Sequence, residues 1–362
     1  ALTVWASTQM AHVMAGMIAD CLRIPPETVR VVACDVGGGF GLKGVQTVED
    51  ILVPFAALRL GCPVRWIEDR YEHLTAAAHA RDQVHRISAA ATKDGRLIAI
   101  RDEVLVNFGA YNVIGLVVPY NTLSHLLGQY HVPNAYIRVQ GILTNTSGTT
   151  PYRGAGRPEA VFAMERILDR LALKLGMDPA DLREKNLVPA SAMPYDTGLL
   201  YRDGQQQVYD SGDFPACLEA ALKKSDWTGF AARKKQSEAR GMKRGIAVTC
   251  YLEHTAGPGK ELADVRFNED GTVTLRTAGK DFGMGHASPF MQILAQQLQI
   301  PFSKIRFDQS DSDELRGPGG SGGSRSAVAS SGAIVQVSQK IIDKGRQLAG
   351  HVLEAEIGRA HV

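Results

Sequence analysis

Eight residues, Val36-Gly37-Gly38-Gly39-Phe40-Gly41-Leu42-Lys43, put three consecutive glycines and one large aromatic into a single loop. Glycine has no Cβ, so the N–H groups of such a loop can come close to a ligand, and a row of bare amides suits an anion or a cofactor phosphate. Phe40 is the odd member, an apolar ring on otherwise naked backbone. Pro151-Tyr152-Arg153-Gly154-Ala155-Gly156-Arg157-Pro158-Glu159 offers two arginine forks just before a helix start, a second anion-seeking arrangement. Gly319-Gly320-Ser321-Gly322-Gly323-Ser324-Arg325-Ser326 offers hydroxyls, amides and one arginine, a set able to cradle a pyrophosphate. Gly283-Met284-Gly285-His286 opens another helical pattern. Each stretch also has a bland reading, as a glycine-rich turn, a capping loop with solvated arginines or a flexible linker.

The elements around these loops follow from periodicity. Leu2 to Ala6 reads as a strand. Ser7 or Thr8 then caps a helix with apolar residues at Met10, Val13, Met14, Met17, Ile18, Cys21 and Leu22. Such a methionine stripe is core, not a metal box. Pro25-Pro26 ends that helix, and Val29 to Cys34 forms a buried strand leading into the first glycine loop. Val48 to Leu60 is helical. Val84 to Thr92 and Leu97 to Val106 flank a Lys93-Asp94-Gly95-Arg96 turn and read as a hairpin. Tyr130 to Asn134 and Ile137 to Asn145 are extended. Glu159 to Leu175 is an amphipathic helix with Pro158 at its first turn and Gly176 as its stop. Residues 189–215 read as loop, 228–243 as a solvated basic helix face, and Ala263 to Ala278 as a second hairpin turning at Asn268-Glu269-Asp270-Gly271.

The chain also echoes itself. Residues 10–35 align without a gap on 286–311, an offset of 276. Met14, Met17, Ile18 and Leu22 fall on Phe290, Ile293, Leu294 and Leu298. Ile24-Pro25 falls on Ile300-Pro301, Val29-Arg30-Val31 on Ile305-Arg306-Phe307, and Asp35 on Asp311. A glycine loop follows each copy. Two related units that each bring a helix N-terminus and a glycine loop suggest two lobes gripping one elongated, phosphate-bearing ligand.

Composition narrows the class. The 362 residues are 44% hydrophobic and 22% charged with a net charge of +2, which suits a globular protein of two or three domains and argues against nucleic acid as partner. No uncharged run is long enough to span a membrane. Cys21, Cys34, Cys62, Cys217 and Cys250 form no Cys-x-x-Cys pair, which argues against a cluster or a disulfide framework carried by this chain. Most of them read as small buried apolar residues. No signal peptide is visible, but the chain starts at Ala1 inside a strand-like run, so this absence decides little; the expected location is cytoplasmic, with a periplasmic one as the alternative. One literal nucleotide motif competes for the function. Gly39-Phe40-Gly41-Leu42-Lys43-Gly44 matches G-x-G-x-x-G, with Glu68 or Asp69 at the distance of a ribose contact, so a Rossmann-type NAD(P)-dependent dehydrogenase is the alternative.

Taken together, the stretches Val36–Lys43, Pro63–Glu72, Val132–Asn134 with Thr144-Asn145, Pro151–Ala160, Gly283–His286 with Gln292, and Ser310–Asp313 with Gly319–Ser326 resemble a known family in order and over almost the whole chain. It is the molybdenum-cofactor-binding large subunit of the xanthine dehydrogenase, aldehyde oxidase and carbon monoxide dehydrogenase family. The resemblance implies an α+β fold with two related molybdenum-cofactor-binding domains. These would be residues 1–195 and 213–362 around a linker at 196–212, the second domain being truncated. The implied cofactor is a molybdopterin in its cytosine dinucleotide form. Gly38, Gly39, Phe40 and Gly41 would lie at the metal centre, and Arg153 and Gly154 beside metal and pterin. Gly283, Met284, Gly285, His286, Ser324 and Arg325 would hold the pterin or its phosphates. No residue of this chain would ligate the metal directly.

The implied reaction is hydroxylation of aldehydes or N-heterocycles with water as oxygen source. Electrons would leave through 2Fe-2S and FAD partner subunits, in a heterotrimer or its dimer. The family's general-base glutamate lies downstream of these residues, so the chain alone is expected to be inactive. Glu356-Ile357-Gly358-Arg359-Ala360-His361-Val362 resembles a translated sequencing adapter and reads as non-native. Three departures stand out. Gly154 occupies the position of the copper-binding cysteine of carbon monoxide enzymes, Met284 that of a glutamine that touches the pterin, and Gly44 that of a glutamate found in purine oxidisers. Met284 also keeps open a second alternative, a non-catalytic paralogue.

Overall fold

The structure is a computed structural model describing residues 1–112, 114–254, 260–309, 311–315, 317 and 319–354. Ser310 and the stretch 356–362 lie outside the described residues. In chain order the elements are β1 (Leu2–Trp5), α1 (Ala11–Leu22), β2 (Val29–Val32), α2 (Glu49–Leu60), α3 (Arg70–Ala76), β3 (Gln83–Ala91), β4 (Leu97–Gly109), α4 (Val117–His125), β5 (Asn134–Leu143), α5 (Arg157–Leu175), α6 (Pro179–Asn186), β6 (Tyr195–Leu200), β7 (Gln206–Tyr209), α7 (Phe214–Ser225), α8 (Phe230–Glu238), β8 (Ala263–Phe267), β9 (Val273–Thr277), α9 (Ala287–Leu298), β10 (Ile305–Gln309) and α10 (Ser326–Val352). Internal contacts gather them into two compact units, Ala1–Leu74 with His254–Val362, and Thr75–Glu253.

The first unit contains both copies of the repeat. β1 and β2 pair in parallel, Leu2 opposite Val29, and β9 and β10 do the same, Val273 opposite Ile305. α1 and α9 stop alike, on Arg23 and Gln299, each at φ 55°. A proline and a 3₁₀ turn follow in both copies, Pro26–Thr28 and Phe302–Lys304. The offset is 271 residues at the first strand but 276 at the helix, so the second copy has five more residues between them.

Apolar stripes make the two cores. Met14, Ile18, Ala19 and Val31 fill one, and Leu275, Phe290, Leu294 and Ile334 the other. Each of these larger side chains contributes about 1.5–3 kcal/mol by leaving water. The copies are stitched together where Ser312 N–H donates to the Val31 carbonyl (3.0 Å) and Val31 N–H to the Ser312 hydroxyl (2.9 Å). Arg30 grips Asp311 alongside them.

The second unit is a three-stranded sheet, β3-β4-β5, with β3–β4 antiparallel and β4–β5 parallel. Ile100, Leu126, Met164, Leu168 and Leu182 form its core. A polar knot is buried there. Arg183 Nε donates to Glu165 at 2.7 Å, its Nη2 to Asp169 at 2.8 Å, and Tyr130 Oη donates to Glu165 at 2.6 Å. Burial pushes the Tyr130 hydroxyl far above its ordinary pKa, and the neighbouring Glu165 carboxylate adds to this, so the hydroxyl stays a donor.

Three expectations change. Residues 189–215 are not all loop, because β6 and β7 form a hairpin there. Its turn is Arg202-Asp203-Gly204, with Gly204 at φ 81° and Asp203 accepting from Gln205 N–H, an Asp-Gly signal the loop reading passed over. The cysteines are not buried: Cys21, Cys34, Cys62 and Cys217 are exposed and Cys250 half-buried. The Rossmann alternative also fails. Among the described residues every sheet has two or three strands. Asp69 and Glu72 cap each other's amides at the start of α3, and Glu68 pairs with His73, so neither candidate for a ribose contact is displayed for one. Among the described residues no helix is long and apolar enough to cross a membrane.

Candidate functional site: two glycine loops joined by one glutamine

The loop after β2 is held by its neighbours and leaves its glycine edge bare. Phe40 sits at φ 54° and Gly41 at φ 111°. The Phe40 ring covers Gly38, where a Cβ would lie 2.5 Å from Cε2. Leu42 N–H closes back on the Gly39 carbonyl at 3.1 Å. Among the described residues the amides of Gly37, Gly38 and Gly39 have no hydrogen-bond partner. The Phe40 ring is about half exposed (51%). This is a rim of donors beside an apolar ring, which suits an anionic or carbonyl-rich cofactor edge.

The loop before α10 repeats this design. Gly320 lies at φ 138°, Gly323 at 62° and Ser324 at 54°. Among the described residues the amides of Gly322, Gly323 and Ser324 have no partner. They sit next to the first turn of a 27-residue helix, whose leading amides lack intrahelical acceptors. Arg325 faces the other way. Its Nε donates to Glu261 at 3.1 Å and its Nη2 to the Gly320 carbonyl at 3.0 Å, so the guanidinium braces the loop from behind. Burial raises the pKa of Glu261, and Arg325 works against that shift.

Gly283, Met284, Gly285 and His286 form a turn whose amides are already taken. Asp281 accepts from Gly283 (2.8 Å), Met284 (2.8 Å), Gly285 (3.2 Å) and His286 (2.6 Å). Burial works to raise the Asp281 pKa, but the four donors outweigh it and hold the carboxyl below the ordinary range. The turn therefore carries its own anion and offers outward the half-exposed Met284 side chain. His286 is buried against Phe290, 5.0 Å between ring centroids, and burial lowers its pKa.

Arg153 and Gly154 belong to the second unit. The Arg153 guanidinium is exposed and has no ion-pair partner among the described residues, while its carbonyl is held by Arg81 Nη2. Arg81 also lies over the Tyr152 ring at 5.0 Å and pairs with Glu159 at 3.1 Å. Gly154 has φ 94°, and a Cβ there would lie 2.4 Å from Pro158 Cγ.

Sequence reasoning missed Gln9 and Asp281, which hold these loops. Ser7 and Thr8 read only as helix caps, and Gln9 next to them carried no reading of its own. The signal for Asp281 was its place just ahead of a glycine turn. Among the described residues no cluster of three or more His, Cys, Asp or Glu could hold a metal. What the loops can hold is the organic frame and phosphates of a cofactor, and their unpartnered amides fit that part.

A family model described as a molybdopterin cofactor-binding domain matches residues 1–187, and a second of the same description matches 220–362. The chain belongs to the molybdenum-cofactor-binding large-subunit family. The 6-hydroxypseudooxynicotine dehydrogenase complex subunit gamma of Paenarthrobacter nicotinovorans is 33% identical over 359 residues, 98% of this chain and 45% of that protein. The carbon monoxide dehydrogenase large chain of Afipia carboxidovorans is 34% identical over 381 residues, 99% of this chain and 46% of the relative. The solved quinoline 2-oxidoreductase of Pseudomonas putida 86 superposes with a TM-score of 0.88 at 30% identity, covering 99% of this chain and 47% of its own. The chain thus spans about half the length of the relatives it matches. The findings match the molybdenum-cofactor-binding reading, not the Rossmann-type dehydrogenase alternative.

Proposed function

We propose that this chain is the cofactor-holding part of a molybdenum hydroxylase acting on N-heterocycles or aldehydes, with molybdopterin cytosine dinucleotide as its cofactor. The observation that carries the reading is the pair of glycine loops, each presenting unpartnered amides and each descending from one copy of the repeat. The bound cofactor supplies the redox chemistry and the oxygen transfer. The residues here bind and orient. Gly37, Gly38 and Gly39 donate to it, Phe40 excludes water on one side, and Gly322 to Ser324 with the α10 N-terminus hold phosphate. Arg325 keeps that second loop in shape. Gly283 to His286 contribute surface, with Met284 outermost. Arg153 and Gly154 are assigned to cofactor contact on the sequence resemblance alone.

Gly154 argues against a copper-bearing, carbon-monoxide-type centre, since a side chain there strikes Pro158. Relatives named for hydroxypseudooxynicotine and quinoline support the heterocycle class. On this reading 2Fe-2S and FAD sit on partner subunits of a cytoplasmic complex. The division at 196–212 is retained as the boundary between the two cofactor-binding domains.

The test is elemental and nucleotide analysis of the protein expressed from its native gene with its neighbours. Molybdenum with released cytidine nucleotide is the expected result. Folded protein without either would refute the reading.

A further inference from the structure

We propose that Gln9 is a positioning residue that locks the two glycine loops into one cradle and thereby sets the place of Phe40; this rests on the cofactor reading above. Gln9 is buried in the turn between β1 and α1 and makes four hydrogen bonds. Its Oε1 accepts from Gly41 N–H at 2.9 Å, and its Nε2 donates to the Ser321 carbonyl at 2.8 Å. Its backbone N–H donates to the Lys43 carbonyl at 2.9 Å, and its carbonyl accepts from Ser321 N–H at 3.1 Å. One residue therefore binds each loop twice, across 312 positions of sequence.

Glycine makes this closeness possible. A Cβ at Gly39 would lie 2.5 Å from Gln9 Oε1, one at Gly320 would lie 2.8 Å from Met10 Cγ, and one at Gly322 would lie 3.0 Å from Met10 Cε. Both loops press on the Gln9-Met10 dipeptide with no room for a side chain. The joint extends to the second copy of the repeat, because the buried Ser321 hydroxyl donates to the Lys280 carbonyl at 2.6 Å. Phe40 stands next to Gly41, whose amide is the one Gln9 anchors. The left-handed backbone of Phe40 and the outward amides of Gly37 to Gly39 are set through that bond. A shift in the second loop is passed to Phe40 by the same carboxamide.

The experiment uses the protein expressed from its native gene in a host that makes molybdopterin cofactors, and compares wild type with Gln9→Met, Gln9→Glu and Ser321→Ala. Methionine keeps the length of the side chain and loses both carboxamide bonds. Glutamate keeps the acceptor for Gly41 and turns an oxygen against the Ser321 carbonyl. Ser321→Ala removes only the hydroxyl link and remains informative if the Gln9 variants do not fold. Three readouts are taken: amide exchange at Gly41 and Ser321, molybdenum and nucleotide per chain, and the paramagnetic resonance spectrum of the reduced centre.

With Gln9→Met, exchange should rise about tenfold or more at Gly41, whose amide loses its acceptor, and should rise less but measurably at Ser321, whose bond to the Gln9 backbone carbonyl remains while its own carbonyl loses the carboxamide. Molybdenum per chain should fall, and the loaded remainder should show an altered spectrum. Faster exchange in one loop only, or a loaded remainder with the wild-type spectrum, would overturn the assignment, since a residue that merely supports the fold leaves loaded molecules unchanged. Wild-type protein without molybdenum would sink the functional reading instead, and the paired exchange result would then decide the joint by itself.

Discussion

Replacing Asp281 by asparagine should loosen the turn that opens α9. Oδ1 accepts from Gly283, Met284 and Gly285, and Oδ2 from His286. Asparagine keeps one oxygen and sets an NH2 group where the other was. If the remaining oxygen stays with the three glycine-side amides, the new NH2 meets the His286 N–H, donor against donor. Charge-assisted bonds contribute about 1.5–3 kcal/mol each when counted singly. These four share one carboxylate that solvent reaches, so they do not add. Loss of an ordinary N-cap costs about 0.5–2 kcal/mol, and with the added donor clash we expect about 2–3 kcal/mol.

The assay is urea unfolding of both proteins at several pH values. The folded pKa of Asp281 lies below its ordinary value of 3.8, so its contribution is present above that value and is lost as pH falls through the lower folded one. The gap between wild type and variant should be full near neutral pH and shrink as pH falls below 3.8. Equal midpoints near neutral pH, or a gap unchanged in acid, would refute the reasoning.

Gly154→Cys should not graft a thiol ligand onto the arginine loop. The clash with Pro158 and a φ of 94° should cost about 1–3 kcal/mol and free the Ala155 and Arg157 amides, seen as a lower thermal midpoint with faster exchange at those two positions. Arg183→Met should cost about 3–5 kcal/mol, because it strands the buried Glu165 carboxylate. Adding Glu165→Gln should recover much of that loss in the same urea titration, and no recovery would count against a stranded charge. Arg153→Ala should leave thermal stability unchanged, since its guanidinium is exposed, but reduce molybdenum retained through purification; unchanged molybdenum content would argue against its cofactor role.

The repeat was legible because it is written in local signals. α1 and α9, their left-handed stops at Arg23 and Gln299, and Pro25 and Pro301 all depend on near neighbours in sequence. The glycine loops were legible as well, since glycine clusters announce backbone that must come close to something. What they come close to was not. Gln9 and Ser321 meet only after the chain has folded, and nothing in Ser-Thr-Gln marks that meeting. The amides of Gly283 to His286 looked available for a phosphate because sequence does not say which way a carboxylate two residues upstream will turn. The β6–β7 hairpin was hidden by three glutamines, although Asp203-Gly204 marked its turn. The cysteines were misjudged because small apolar residues are buried on average, and an average does not say which side of a helix a residue takes.

The five extra residues in the second copy have a consequence for how this protein can vary. A duplicated unit begins as two interchangeable parts, and recombination between the copies can repair either from the other. Here the short turn carries the glutamine that reaches both loops, while the long one carries an aspartate folded onto its own amides. Each solution depends on its own loop length. A segment exchanged between the copies would bring a carboxylate to a place that needs a carboxamide, or a turn five residues too short for the strand it must follow. The two turns are therefore not interchangeable in this fold, since each depends on its own length and its own polar residue.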